Sequence, residues 1–287
     1  MTGAGRSTGA ALREPPPELA ALCRRVLRDA RPERLLKVAD DVLVQLATDG
    51  CTGTPRVYKI LHADAVVSAD ARLDAFLREY QVLHGLSHPG VVAVHAFGVA
   101  DDHLYIAMEY LPGGALAHMI SGGRPLPADR ALTLVRGIAE ALAVVHARGV
   151  LHRDLKPGNV MLRADGTPVL IDFGLARPLH APTGSAGAVV QGTPAYMSPE
   201  QGHARAADAR SDLYSLGLVC HELLTGRRLF DDADPWVVLH RQRHAPRPVL
   251  PDPLAHLQPL LDALLAVDPD ARIGSARALI ARLDAFL

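Results

Sequence analysis

Apolar residues follow two different patterns along this chain. From Leu35 to Leu61 they come in short runs: Leu35-Leu36-Lys37-Val38, Val42-Leu43-Val44-Gln45-Leu46 and Val57-Tyr58-Lys59-Ile60-Leu61. Asp49-Gly50 and Gly53 separate the second run from the third. Runs of this length between turn residues predict strands. Over residues 68–86 the period changes, and Leu73, Phe76, Leu77, Tyr80 and Leu83 share one helical face. Two further strands are predicted near 91–98 and 103–109. After Pro112-Gly113-Gly114 the pattern is mainly helical, with helices over Ala128–Arg148, 211–225 and within 256–286. Ahead of the first strand, Leu19, Leu22, Cys23, Val26 and Leu27 predict a short amphipathic helix over Glu18–Ala30, after a Gly-, Ser- and Pro-rich stretch expected to be flexible. The organisation is therefore α+β: an N-terminal extension over 1–32, a strand-rich part over 33–111 and a helical part over 112–287.

Composition narrows the function classes. The 287 residues suffice for one large domain or two small lobes, and the net charge of −1 gives no basic surface for nucleic acid. Cys23, Cys51 and Cys220 are odd in number and far apart, which suits reduced thiols rather than a disulfide framework. No apolar run is long enough to span a bilayer and no secretory signal core is present, so a cytoplasmic location is expected. Among the 14 histidines His240 and His244 have helix-face spacing, and without a third ligand no zinc site is expected.

The chemistry concentrates in His152-Arg153-Asp154-Leu155-Lys156-Pro157-Gly158-Asn159 and Asp172-Phe173-Gly174. Between them, Val160-Met161-Leu162 and Val169-Leu170-Ile171 flank Asp165-Gly166, which reads as a hairpin. Folding that hairpin brings Asp154, Asn159 and Asp172 to one end. An Asp and an Asn suit magnesium, which takes oxygen ligands, and the first Asp is left to accept a proton from a hydroxyl.

The octet, at this distance from Asp-Phe-Gly, resembles the catalytic and metal-binding loops of protein kinases, in particular the bacterial eukaryotic-like (Hanks-type) Ser/Thr kinases. The resemblance covers about residues 33–286. It implies a bilobal fold, with a small β-rich lobe carrying one key helix and a larger helical lobe. It also implies transfer of the ATP γ-phosphoryl group to Ser/Thr hydroxyls of proteins, with Mg2+ (or Mn2+) as cofactor. By this resemblance Asp154 is the catalytic base, Lys156 offsets charge on the transferring group, and Asn159 and Asp172 are the metal ligands. Lys59 pairs the nucleotide phosphates, with Glu79 as its partner. Val44, Val57, Met108 and Met161 line the adenine slot, and the backbone of Glu109 and Leu111 faces the adenine edge. The family usually has Ala at the position of Val57. Gly192–Glu200 matches the end of the activation segment, Glu200 is expected to pair with Arg272, and Asp212 to hold the catalytic loop from beneath. Arg153 marks the type often controlled by a phosphate on the activation segment, with Thr183 and Ser185 as the candidates. The protein substrate and the oligomeric state are not legible.

One part departs from the family. Lys37, Ala39 and Val42 stand where a phosphate-covering loop has glycines, and Asp40-Asp41 occupy the hairpin tip. Two unit charges about 8 Å apart interact by about 2 kcal/mol at an effective dielectric near 20. Two readings stay open: the acids weaken nucleotide binding, or the tip turns to solvent and they serve the turn. The glycine-free tip also suggests an alternative to catalysis, a signalling scaffold with weak nucleotide binding.

Overall fold

The computed structural model describes residues 27, 29–39, 42–61, 70–100, 103–178, 192–203 and 205–287. The chain forms two compact units. The first is the chain up to Tyr80 together with Ala93–Tyr110, and the second is Gln81–Val92 together with Leu111–Leu287.

The first unit is built on an antiparallel sheet of β1 (Ala30–Ala39), β2 (Val42–Asp49), β3 (Pro55–Leu61), β4 (Val94–Ala100) and β5 (His103–Glu109), in the order β1-β2-β3-β5-β4. Alternation along the strands sorts its faces. Val44 stands opposite Lys59, Lys59 opposite Ile106 and Val57 opposite Met108, so Val44, Val57, Lys59 and Met108 share one face. On the other face Leu43, Tyr58, Ile60 and Ala107 form a core with Ala47 and Leu27. Burial on both faces explains why these strands read as near-continuous apolar runs.

The β1–β2 ladder continues to Ala39 opposite Val42. Glycines at these places would weaken this pairing. Asp40 and Asp41 lie outside the described residues, as do Thr183 and Ser185. Two expectations are corrected. The helix predicted over Glu18–Ala30 lies outside the described residues up to residue 26, and its last residue, Ala30, is instead paired with Asp49 in β1. The strand predicted from 91 starts at Val94, since Val91 instead makes a parallel bridge with Leu170. Helix α1 (Asp70–His84) contributes its residues up to Tyr80 to this unit.

The second unit contains α2 (Leu116–Met119), α3 (Ala128–Ala147), α4 (Pro199–Gly202), α5 (Ala209–Thr225), α6 (Pro235–His244), α7 (Gln258–Leu265) and α8 (Ala276–Leu283). Short pairs β6 (Val150–Leu151) with β9 (Arg177–Pro178), and β7 (Val160–Leu162) with β8 (Pro168–Leu170), complete it. Its centre is α5, in which every residue from Ser211 to Leu224 is buried. A helix buried all round needs neighbours on every side, and α3 and α7 pack against it. Gly217 allows the close approach of α7: a Cβ there would stand 2.8 Å from Leu264 Cβ. Asp208 caps the start of α5 by accepting from the Arg210 amide, and left-handed Gly226 (φ 71°) ends it. The helix α6 was not read from the sequence, although Asp234 caps its N-terminus and Pro235 fills its first turn. No helix among the described residues is long and apolar enough to cross a membrane.

Candidate active site

In the first unit, Lys59 Nζ lies 2.6 Å from Glu79 Oε2. The lysine is in the middle of β3 and the glutamate on α1, where it is only 2% exposed. Alternation puts Lys59 on the face of Val44, Val57 and Met108. The Glu109 backbone amide donates to Ala93 O at 3.0 Å, and its side-chain Oε1 accepts from the Ala93 amide at 2.8 Å.

In the second unit, a buried carboxylate shapes the catalytic-loop segment. Asp212 accepts from the backbone amides of His152 and Arg153, both at 2.9 Å, and lies 2.8 Å from His146 Nε2. Burial pushes its carboxyl up, but the His146 hydrogen bond and the nearby histidines outweigh that and hold it below the usual carboxylate range. These bonds fix Arg153 in left-handed backbone (φ 65°), and Asp172 has φ 61°. Such non-glycine conformations cost about 1–3 kcal/mol each and persist where the surroundings dictate them. The buried His152 ring lies 3.1 Å from Ile171 O and 4.8 Å from the Phe173 ring. The Ile171 amide donates to Asn159 O at 3.0 Å. These bonds and the β7–β8 pairing put Asn159 and Ile171-Asp172 side by side at the open end of the hairpin.

Asp154 is surrounded by donors. Lys156 Nζ lies 2.6 Å from its Oδ2, and Asn159 Nδ2 donates to both its Oδ2 and its main-chain oxygen at 2.9 Å. Thr193 donates to Oδ1 through its amide at 3.1 Å and its hydroxyl at 3.0 Å, and Lys156 Nζ also reaches Thr193 Oγ1 at 2.6 Å. Thr193 lies within Gly192–Glu200, and the sequence signal for its role is only a hydroxyl between Gly192 and Pro194. Because both Asn159 Nδ2 hydrogens are spent on Asp154, its amide oxygen is the group offered to a cation. The Asp172 side chain likewise offers carboxylate oxygens, the donor type hard divalent ions prefer.

The supporting pairs are also formed. Arg272 holds Glu200 bidentately at 2.7 and 2.8 Å, and the Ser211 hydroxyl donates to the same carboxylate at 2.6 Å. Burial raises the Glu200 carboxyl, yet Arg272 and Ser211 bring it below its ordinary value. The half-buried Arg153 guanidinium is pushed below its usual value by burial and by Arg177, against the opposing charge of Asp212. Met161 bridges Ala115, and Leu111 is buried, both in this unit. The segments holding His240 and His244 bring only the two rings together, 4.6 Å apart, and no cluster of three or more metal-ligating side chains occurs among the described residues.

A strand lysine paired to a helix glutamate, and a loop whose aspartate is gripped by Lys, Asn and Thr, define a protein kinase. The chain belongs to the protein kinase domain family, whose model matches residues 43–282. More particularly, it is of the bacterial eukaryotic-like Ser/Thr type. It is 38% identical to a probable serine/threonine-protein kinase of Streptomyces coelicolor, over 84% of this chain and 37% of that one. It is 40% identical to a serine/threonine-protein kinase of Myxococcus xanthus, over 67% of this chain and 24% of that one. With the serine/threonine-protein kinase PknB of Mycolicibacterium smegmatis the identity is 37%, over 81% and 39%. The chain thus spans between 24% and 39% of the length of these curated relatives. The scaffold alternative is not favoured. Members of the family generally use ATP and a divalent metal.

Proposed function

We propose that this chain is a serine/threonine protein kinase domain that moves the γ-phosphoryl group of ATP to hydroxyls of a protein substrate in the cytoplasm. The observation that carries this reading is the arrangement around Asp154. Its carboxylate already accepts a hydroxyl, that of Thr193, while the Lys156 ammonium touches both groups. An acceptor serine or threonine needs the same reception: a carboxylate to orient it and take its proton, with a cation beside it.

In this reading Asp154 is the base and Lys156 offsets charge on the phosphoryl oxygens. Asn159 and Asp172 hold magnesium, a hard cation their oxygens suit, with manganese as the alternative. When bound, magnesium neutralises phosphate charge. Lys59, oriented by Glu79, serves the α and β phosphates. Val44, Val57, Met108 and Met161 line the adenine slot, and the backbone of Glu109 and Leu111 meets its edge. The domain boundary near 111–112 belongs to the same proposal. The test is incubation with labelled ATP and magnesium, wild type beside Asp154→Asn. Label in wild type alone is expected, and equal label in both would overturn the assignment.

A further inference from the structure

We propose that Gln242 is a positioning residue: through it α6 sets the turn at Pro194–Tyr196, which follows the Thr193 held by Asp154, and so tunes binding of the protein acceptor at that base. The inference rests on the kinase reading above. Gln242 is 0% exposed and lies on the buried stripe of α6 with Val238 and Leu239. Its Nε2 donates to Pro194 O at 2.6 Å. That same carbonyl accepts the Met197 amide at 3.2 Å and so closes the single 3-10 turn of Pro194–Tyr196. Thr193, the residue before this turn, makes the two bonds to Asp154 Oδ1. A chain of direct contacts therefore runs from α6 through the turn to the candidate base.

The other side of the amide marks this bond as more than packing. Gln242 Oε1 is buried and has no hydrogen-bond partner among the described residues. The amide cannot gain by flipping, because the Pro194 carbonyl only accepts. Orphaned buried acceptors are costly, and a side chain kept only to fill space would be methionine or leucine. The site tolerates the orphan oxygen and retains the donor. The end of α6 is fixed as well: Arg247 donates to Gln242 O at 2.8 Å and to the Tyr214 hydroxyl at 3.3 Å. Gly202 lets Leu239 seat against α4, since a Cβ there would stand 2.7 Å from Leu239 Cδ2.

The test uses the full chain with dephosphorylated casein as acceptor. Gln242→Met removes the donor and the orphan together. It should leave Tm equal or higher, raise KM for casein about tenfold, and leave KM for ATP unchanged. Gln242→His keeps a donor at similar reach, so its casein KM should stay near wild type even where Tm falls. The proposal is overturned if casein KM is unchanged in Gln242→Met or follows Tm through both variants. It is equally overturned if KM for ATP rises in parallel, or if Gln242→Met does not fold, because each outcome makes the residue merely structural. A wild-type chain that labels neither casein nor itself overturns the kinase reading, and this inference with it.

Discussion

The two units hold their charged residues in opposite ways. In the first, Lys59 on a strand meets Glu79 on a helix at 2.6 Å. In the second, Asp154 is gripped by Lys156, Asn159 and Thr193, and the loop beneath it is tied by Asp212 and His152. An ion pair between a strand and a helix sets the distance between those two elements. A network whose members share partners sets an orientation and resists single changes. The second arrangement suits a part that must stay pre-formed.

The largest expected effect separates charge from shape. Asp154→Asn keeps an acceptor for Thr193 but loses the base, so phosphoryl transfer should fall about 10²–10⁴-fold. Thermal melting should stay near wild type, because the loop keeps its support from Asp212; a large drop in Tm would show that the network depends on that one charge. Lys59→Met comes next. It should reduce transfer about 10²-fold and raise amide hydrogen exchange in α1 up to Tyr80, while exchange in 150–162 stays unchanged. Equal loosening of both regions would break the contrast.

Asp212→Asn is a smaller step, because an amide still accepts on one side; a loss of about 1–3 kcal/mol in urea unfolding is expected. The sign of its pH dependence follows from the depressed carboxyl of Asp212. Its stabilisation is present above the unfolded value, near 3.8, and is lost as pH falls through the lower folded value. Wild type and variant should therefore converge in strong acid. Glu222→Gln is the smallest and has the opposite sign. Burial raises the Glu222 carboxyl above 4.5, beside the Tyr196 hydroxyl that donates to it. Ionisation then destabilises the fold as pH rises from 4.5 through the folded value. The variant should melt about 2–4 °C higher at pH 8, with little difference near pH 4. A lower Tm at pH 8 would show that the charged form is the favoured one.

How far the sequence could be read follows the same physics. Strands β2, β3 and β5 were legible because their side chains alternate between two buried faces. The residues around Asp154 were legible because their chemistry is rare at that spacing. The helix α6 was not, because its buried stripe is only Val238, Leu239 and Gln242, while Trp236 and Val237 face solvent. The end of the predicted N-terminal helix failed for a different reason: Leu27 and Ala30 fit a helical period, yet Ala30 pairs with Asp49, a partner 19 residues away that periodicity cannot see. Thr193 was passed over because its bonds to Asp154 span 39 residues. Local pattern fails in two ways here: a sparse buried stripe hides α6, and partners far along the chain decide Ala30 and Thr193.

The tether between the loop amides and Asp212 also has a consequence in time. His152 and the carboxylate that orders it are 60 residues apart. At a synthesis rate of about 5–20 residues per second, the ribosome takes about 3–12 s to supply Asp212 after His152 is made. Through that interval Arg153 has no carboxylate to hold its left-handed backbone. The nascent chain thus carries every residue of the octet before it can shape them, and the final form of the loop awaits the emergence of α5 from the exit tunnel.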